Sequence, residues 1–522
     1  VNDSALLERC LTDAGYTPGV KALPELLAAL ASLDEKPAEA LERTLARVGL
    51  PAARAALDGL LETSSEARRR RLRLVGRIAV ASDAQELRAP LLEALEDREV
   101  RCRRIAASAL GKLGEARAEA PLLGAFESAP LDEQRVIVEA LGKLGGERSL
   151  ELLRALRPTD PELARRREQA LSLLDRRLSR GDEVRLLSDR ALGAAVTVVA
   201  RCRRGLGSVM TAELASFGAR EESPEAAVFS HTGSLEALFR ARTPLDFALR
   251  FPLATGSSPA ERIAASLTRE NLVSALQAWT DGRPRFRLAW TAGHKRSLSW
   301  EVAKLVRQKT ERIVNDPSGA LWEARLSPSG TGHLELAPRL DPDPRFAYRV
   351  KDVPAASHPT LAAALVRIAG VRDDDVVWDP FVGSGLELVE RAKLGPYAAL
   401  YGTDVDQRAI DAARANLDTA GVARASLELR DARNFDKEGV TLIVSNPPMG
   451  RRVARDATLG PLLEGVLTTA ARVLARGGRI VWLSPLPART AETARRAGLS
   501  VSEGPDVDLG GFTARVQTFE KR

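Results

Sequence analysis

Four short stretches in the last third of the chain carry residues whose types and spacing could do chemistry. In Val376-Val-Trp-Asp-Pro-Phe-Val-Gly-Ser-Gly a strand-like run ends on Asp379 and turns through Gly383, Ser384 and Gly385. Glycines in such a turn let a cofactor come close to backbone N–H groups. The stretch lacks both the Gly-x-Gly-x-x-Gly spacing of a dinucleotide fingerprint and the Lys-Ser/Thr pair of a triphosphate loop. Gly402-Thr-Asp-Val-Asp puts Asp404 where an acidic side chain can bind ribose hydroxyls, and Asp431 stands where a carboxylate could accept from an adenine amino group. Ser445-Asn-Pro-Pro-Met-Gly completes the set.

These stretches need a frame, and the surrounding pattern supplies one. Strands are expected at 375–379, 398–404, 425–430, 440–445 and 479–484, with helices at 385–394, 407–420 and 459–475. Such alternation builds an open parallel sheet flanked by helices, an α/β Rossmann-like domain over 346–522. Two late strands, near 498–503 and 512–519, have no good helix between them and are expected to close it as an antiparallel edge. Each of the four stretches then falls at the carboxyl end of a strand.

Jointly the four positions resemble class I S-adenosylmethionine-dependent methyltransferases, in particular the Asn-Pro-Pro-aromatic group that methylates exocyclic amines. Asp379-Pro-Phe-Val-Gly-Ser-Gly, Tyr348-Arg and Pro359-Thr-Leu-Ala-Ala-Ala-Leu-Val-Arg-Ile-Ala-Gly look most like the THUMP-linked RNA guanine-N2 methyltransferases, the last stretch matching their cofactor-covering helix. The resemblance implies S-adenosylmethionine as cofactor, with Asp379, Phe381, Gly383, Ser384 and Gly385 at its methionine end. It places Asp404 on the ribose, and Asp431 with Ala432 at the adenine. It makes Asn446, Pro447, Pro448 and Met449 the catalytic segment, with the Asn446 side-chain oxygen and the Pro447 carbonyl accepting from the target amine. Met449 departs from the aromatic residue usual there, and Leu386 from the usual Thr. The activity implied is methylation of guanosine N2, in tRNA first. Transfer to rRNA guanine or to adenine N6, or an RNA-binding scaffold without turnover, are the alternatives, and Met449 favours the last.

Upstream, 185–342 changes to short β-type runs (Ala195-Val-Thr-Val-Val-Ala; Ala227-Val-Phe-Ser) between helices, an α+β pattern. Arg201-Cys-Arg-Arg-Gly-Leu-Gly and Gly233-Ser-Leu-Glu-Ala-Leu-Phe-Arg-Ala-Arg-Thr resemble the ferredoxin-like and THUMP RNA-binding half of that same family. From Arg283 to Arg312 there are nine basic and two acidic residues, an excess equal to the net charge of +7 on the whole chain. Arg283, Arg285, Arg287, Lys295 and Arg296, with Trp279, Phe286, Trp290 and Trp300 interleaved, offer phosphate contacts and stacking surfaces for RNA. Arg451 and Arg452, after the catalytic segment, stand where a substrate phosphate would pass. Asp341-Pro-Asp-Pro-Arg is read as a linker.

The front of the chain is different again. Tyr16 and Phe126 are the only aromatic residues among the first 180, and Ala-Leu-Gly-Lys-Leu-Gly occurs at 109–114 and 140–145, a period of 31. Each copy ends the second helix of a hairpin that must stack on its neighbours, with the final glycine suited to a left-handed helix end. Residues 1–180 thus resemble a HEAT-like all-α solenoid. Its arginine clusters are interleaved with acidic residues as on solvated helix faces, so the repeats are assigned to scaffolding or a protein partner. With Cys10, Cys102, Cys202 and four histidines scattered, no disulfide framework or metal site is expected. Neither a membrane span nor a secretory signal is read from the sequence, and a cytoplasmic location is expected.

Overall fold

A computed structural model describes residues 3–179, 183–293, 295–326, 332–354, 356–450 and 458–522. The chain divides into two compact units: 1–183 with 303–316, and 184–302 with 317–522. This differs from the three segments expected. The α+β and α/β regions form one unit, and 303–316 leaves the middle region for the helical one.

In the helical unit the long helices Ser65–Ser82, Val100–Leu113, Leu131–Leu144 and Pro161–Ser179 alternate with shorter ones over a continuous aliphatic core. Small residues set the stacking distance. A Cβ on Gly111 would lie 2.9 Å from the Ala140 Cα, and one on Gly142 would lie 2.5 Å from the Ala170 Cα. Buried pairs knit consecutive turns of the array, as in Arg68 with Asp97 at 2.8 Å and Arg103 with Glu133 at 2.7 Å. Only one of the two repeat glycines ends its helix left-handed. Gly114 has φ +65°, but Gly145 is extended at φ −65°, where a Cβ would collide with Ser149 Oγ at 2.2 Å.

The second unit holds two large sheets and a two-stranded antiparallel pairing of Arg185–Leu186 with Thr280–Asp281. Strands Arg220–Ser223, Ala226–His231, Val196–Arg201, Asp246–Pro252, His333–Pro338, Trp322–Leu326 and Arg285–Trp290 lie side by side in that order, antiparallel except for the last, parallel pair. The α/β sheet comprises β1 (Val376–Asp379), β2 (Ala399–Asp404), β3 (Ala425–Leu429), β4 (Val440–Ser445), β5 (Leu474–Ser484), β6 (Leu499–Asp508) and β7 (Thr513–Lys521). Their order is β3-β2-β1-β4-β5-β7-β6. All run parallel but β7, which is antiparallel to both neighbours. A helix at Pro487–Arg496, not expected from the sequence, connects β5 to β6. It buries only Thr490, Ala491, Thr493 and Ala494, so no large apolar stripe marks it.

The expected linker is packed rather than free. Arg345 is buried and donates to the carbonyls of Ala241, Pro244 and Leu245 while pairing with Asp343. Nearby, Arg242 meets buried Glu390 at 2.5 and 2.7 Å, and Tyr348 donates to the same carboxylate at 2.6 Å. These buried charges join the two sheets into one body.

At the entry to β1, Asp375 is fully buried between Arg391 and Arg479, each at 2.9 Å. Burial pushes its carboxyl up, yet the Arg479 guanidinium, the Arg372 N–H and Arg391 outweigh that and hold it at about 2. A depressed carboxyl contributes stability that is present above its ordinary range and is lost as pH falls through the folded value. Asp375→Asn leaves two guanidiniums short of their buried counter-ion, so it should destabilise the unit by about 3–5 kcal/mol at neutral pH. In thermal unfolding followed by circular dichroism, the gap between wild type and variant should narrow as pH falls from 4 toward 2.

Candidate active site

The strand order reverses between β1 and β4, and the carboxyl ends of parallel strands at such a point leave a crevice. Asp379 closes β1 there with no solvent exposure. Its Oδ1 accepts from the Ser445 hydroxyl of β4 at 2.6 Å and from the Phe381 N–H at 3.1 Å, while Oδ2 has no partner. Burial, reinforced by nearby Glu387, pushes this carboxyl well above its ordinary range, and the two hydrogen bonds offset only part of that.

The glycine turn follows directly. Gly383 and Gly385 have φ of +48° and +81°, in the left-handed region that glycine alone enters without strain. A Cβ on Gly385 would also meet the Ala413 Cβ at 3.1 Å. Ser384 is buried with its hydroxyl unpartnered. Asp404, at the end of β2, accepts from the Gly383 N–H through Oδ2 and from the Asp406 N–H through Oδ1, both at 3.0 Å, and so fixes the turn against the next strand. Val405 beside it is 72% exposed, an apolar side chain left open at the mouth of the crevice. Asp431 is more occupied than the sequence suggested. Both its oxygens accept from Arg433, at 2.6 to 3.1 Å, which lowers its carboxyl below the ordinary range. Ala432 next to it is buried.

At the end of β4, Asn446 Nδ2 donates to Ser357 Oγ at 2.9 Å, and the Ser357 hydroxyl donates to Glu387 at 2.5 Å. The Asn446 Oδ1 is buried without a partner. Pro447 is buried, Pro448 exposed and Met449 half-buried. Thus three polar atoms, on Asp379, Ser384 and Asn446, lie buried and unsatisfied around one crevice. Such groups are expensive to leave unpaired and mark a place for a bound molecule.

Residues 347–512 match the family model described as RMKL-like, methyltransferase domain, and residues 88–174 match HEAT repeats. The second unit therefore contains a methyltransferase domain. The tRNA (guanine(6)-N2)-methyltransferase of Thermus thermophilus is 34% identical over 166 residues, 31% of this chain and 49% of that enzyme. The U6 snRNA (guanine-N(2))-methyltransferase THUMPD2 of Bos taurus is 32% identical over 165 residues, 30% of this chain and 31% of that protein. The chain thus spans half or less of the length of these curated relatives. The crystal structure of TrmN from Thermus thermophilus has a TM-score of 0.51 at 24% identity, over 63% of this chain and 100% of that one, a likeness of fold.

The methyltransferase domain brings together Asp379, Phe381, Gly383, Ser384, Gly385, Asp404 and Asn446 through the ends of β1, β2 and β4. Arg451 and Arg452 lie outside the described residues. In the middle region the expected basic surface is not one patch. Arg285 is buried at 7% exposure, and Arg287 pairs with Glu323 at 2.9 Å. Arg283 is half-buried, while Lys295 and Arg296 are exposed. The charges beyond Ala303 belong to the helical unit. Trp279 and Phe286 are core residues rather than stacking surfaces, Trp279 lying parallel to Trp322 with ring centres 6.4 Å apart. Trp290 bonds Ser299 at 2.8 Å, and Trp300 is 37% exposed.

Sequence reasoning missed Ser357 and Glu387. An acidic residue in the first turn of a helix reads as a partner of the helix dipole, and nothing local says that Glu387 is buried. Among the described residues, no cluster of His, Cys, Asp or Glu is arranged to hold a metal, and no helix is long and apolar enough to cross a membrane. Because Ser445 is the only side chain that donates to Asp379 among the bonds above, Ser445→Ala should cost about 1–3 kcal/mol. A fall in the midpoint of thermal unfolding, with the far-ultraviolet spectrum of the native state unchanged, is the expected observation.

Proposed function

We propose that this protein is an S-adenosylmethionine-dependent RNA methyltransferase acting on the exocyclic N2 amine of guanosine, with tRNA as the leading substrate. The observation that carries the reading is the buried, unpartnered Asn446 Oδ1 beside the unpartnered Asp379 Oδ2. The donor set fits the cofactor. A carboxylate oxygen buried next to Glu387 suits the ammonium of a methionine moiety, Gly383 and Gly385 leave room at the turn, and Asp404 faces the place of the ribose hydroxyls. Asp431, already paired with Arg433, is proposed to contribute at the adenine with Ala432 and the exposed Val405. When bound, S-adenosylmethionine supplies an electrophilic methyl on a sulfonium.

The chain's part in the reaction is positioning and charge stabilisation. As the guanine amine attacks, its lone pair leaves conjugation and its two protons become more acidic. Asn446 Oδ1 and the Pro447 carbonyl are the acceptors for those protons. Two successive prolines hold the segment, since both fix φ and neither has an N–H to occupy an acceptor. Met449 meets the base through sulfur–aromatic contact in place of ring stacking. Ser357 and Glu387 are positioning residues that decide which end of the Asn446 amide faces the substrate.

For the region 185–342 we propose RNA binding of the THUMP kind, supported by exposed Lys295, Arg296 and Trp300, with Arg451 and Arg452 guiding phosphate near the pocket. The three cysteines are buried and unpaired, which suits the cytoplasm proposed for the protein.

The test is nucleoside analysis after incubating the purified full chain with labelled S-adenosylmethionine and bulk tRNA. N2-methylguanosine is the expected product, and absence of any labelled nucleoside would sink the reading; N6-methyladenosine would redirect it. Asn446→Ala should lower kcat about 10²–10³-fold with cofactor affinity by calorimetry nearly unchanged. Asp379→Ala should abolish that affinity. Ser357→Ala and Glu387→Gln should lower kcat about tenfold, roughly the share of one aligned hydrogen bond, without raising KM for RNA.

A further inference from the structure

The helical unit contains a cleft of about 830 Å³ lined by Arg69, Arg73, Arg77, Arg101, Arg104 and Lys112, with Glu35 as the one carboxylate on its wall. The arrangement follows from helix geometry. Arg69, Arg73 and Arg77 are four residues apart on the helix Ser65–Ser82, which aligns them on one face at about 6 Å intervals. On the helix Val100–Leu113, Arg101, Arg104, Ser108 and Lys112 form the facing row. Between the rows the floor is made of small residues, Gly76 and Ala109, so closely packed that a Cβ on Gly76 would lie 3.1 Å from the Ala109 Cβ. Cations therefore stand up on both sides of a low trough.

Two of the six are pinned from below. Arg69 pairs with Glu35 and Glu66 at 2.7 and 2.5 Å, and Arg73 with Glu35 and Glu42 at 2.6 and 2.7 Å. Arg104 reaches Asp132 only at 3.9 Å. Arg77, Arg101 and Lys112 are exposed, and among the described residues none of them has a carboxylate within ion-pair distance. The next repeat does not continue the row. One period of 31 residues on, Arg104 and Lys112 are kept as Arg135 and Lys143, but Arg101 and Ser108 become Asp132 and Glu139, so that Arg135 pairs with Asp132 and Asp160 and Lys143 with Glu139. Unpaired positive charge is thus a property of these two helices, whereas the next repeat neutralises the cations it keeps.

We infer that this cleft binds the phosphate backbone of RNA, as a site separate from the catalytic crevice; the choice of RNA rests on the function proposed above. The lining favours a polyanion over a protein surface. It has no aromatic residue and no deep apolar pocket to anchor a partner side chain. Five of its six cations are arginines, whose planar forks match phosphate oxygens. Without aromatic platforms or base-edge readers, binding is to the backbone, independent of sequence and strongly dependent on salt.

The experiment uses the full chain and a fluorescein-labelled mixed-sequence single-stranded RNA, with affinity read by anisotropy across a salt series. Simultaneous Arg77→Glu, Arg101→Glu and Lys112→Glu should weaken binding at least tenfold at low salt. The slope of log K against log salt should fall by about 2, three lost contacts at about 0.7 each for a single strand. The milder Arg77→Gln, Arg101→Gln, Lys112→Gln variant should show the same direction with an unchanged unfolding midpoint, which guards against misfolding of the first. Unchanged affinity and slope in both variants overturns the inference, as does a labelled poly-glutamate peptide that binds more tightly than RNA and depends on the same residues. Methyl transfer is measured in parallel. RNA binding that does not depend on the cleft residues, with methylation intact, refutes the cleft alone, whereas cleft-dependent binding without any methylation refutes the catalytic reading alone.

Discussion

Two aspartates, one just before and one at the end of the four-residue strand β1, set the terms for the α/β sheet. Asp375 and Asp379 are both without solvent exposure, and their surroundings drive their carboxyls in opposite directions. Asp375 meets two guanidiniums and is held ionised, a fully paired charge that fixes the start of β1 to the helix carrying Arg391 and to β5. Asp379 has a hydroxyl and one N–H for company, and another carboxylate close by. Among the described residues its second oxygen has no hydrogen-bond partner. The sheet is therefore anchored at one end by a satisfied charge, and at the other it presents a buried carboxyl oxygen without a partner at the reversal of strand order. Binding energy for a cation can be stored there because the opposite end secures the strand.

Much of this was legible before the structure. The strand ends bearing Asp379, Asp404 and Asn446 follow from alternation of apolar runs with glycine and acidic residues, because parallel strands buried on both faces read as continuous apolar stretches. The helix Pro487–Arg496 was not legible, since it packs through threonine and alanine and shows no large apolar periodicity. Asp431 was legible as a position but not as a state. Its neighbour Arg433 occupies both oxygens, and a pairing two residues apart around a turn depends on backbone direction that composition does not encode.

Charge misled in an instructive way. The basic run from Arg283 to Arg312 is dense in sequence, yet Arg285 is buried, Arg287 is paired with Glu323, and the members beyond Ala303 belong to a different compact unit. Conversely, Arg77, Arg101 and Lys112 are too far apart in sequence to draw notice and line one trough. Helices with a four-residue spacing bring cations to one face, whereas Arg285 and Arg287, two apart on one strand, are taken up by the core and by Glu323. A charge cluster counted along the chain is thus a poor guide to a charge cluster in space. The repeats, for the same reason, concealed a cationic face among residues that overall are nearly balanced.

The orientation of Asn446 follows from counting protons rather than from packing. Ser357 has one hydroxyl proton and gives it to Glu387, so its oxygen can only accept from Asn446, and the amide must present Nδ2. Oδ1 is then left facing the crevice with no partner. Were Glu387 protonated, it could donate to Ser357, whose proton would be free for Oδ1, and the acceptor proposed for the amine would be spent inside the protein. Burial pushes the Glu387 carboxyl up, toward that unproductive state, and the hydrogen bond from Ser357 works against it. A carboxyl two hydrogen bonds away thus decides whether the amide oxygen is left free, and the Ser357 hydroxyl carries the effect.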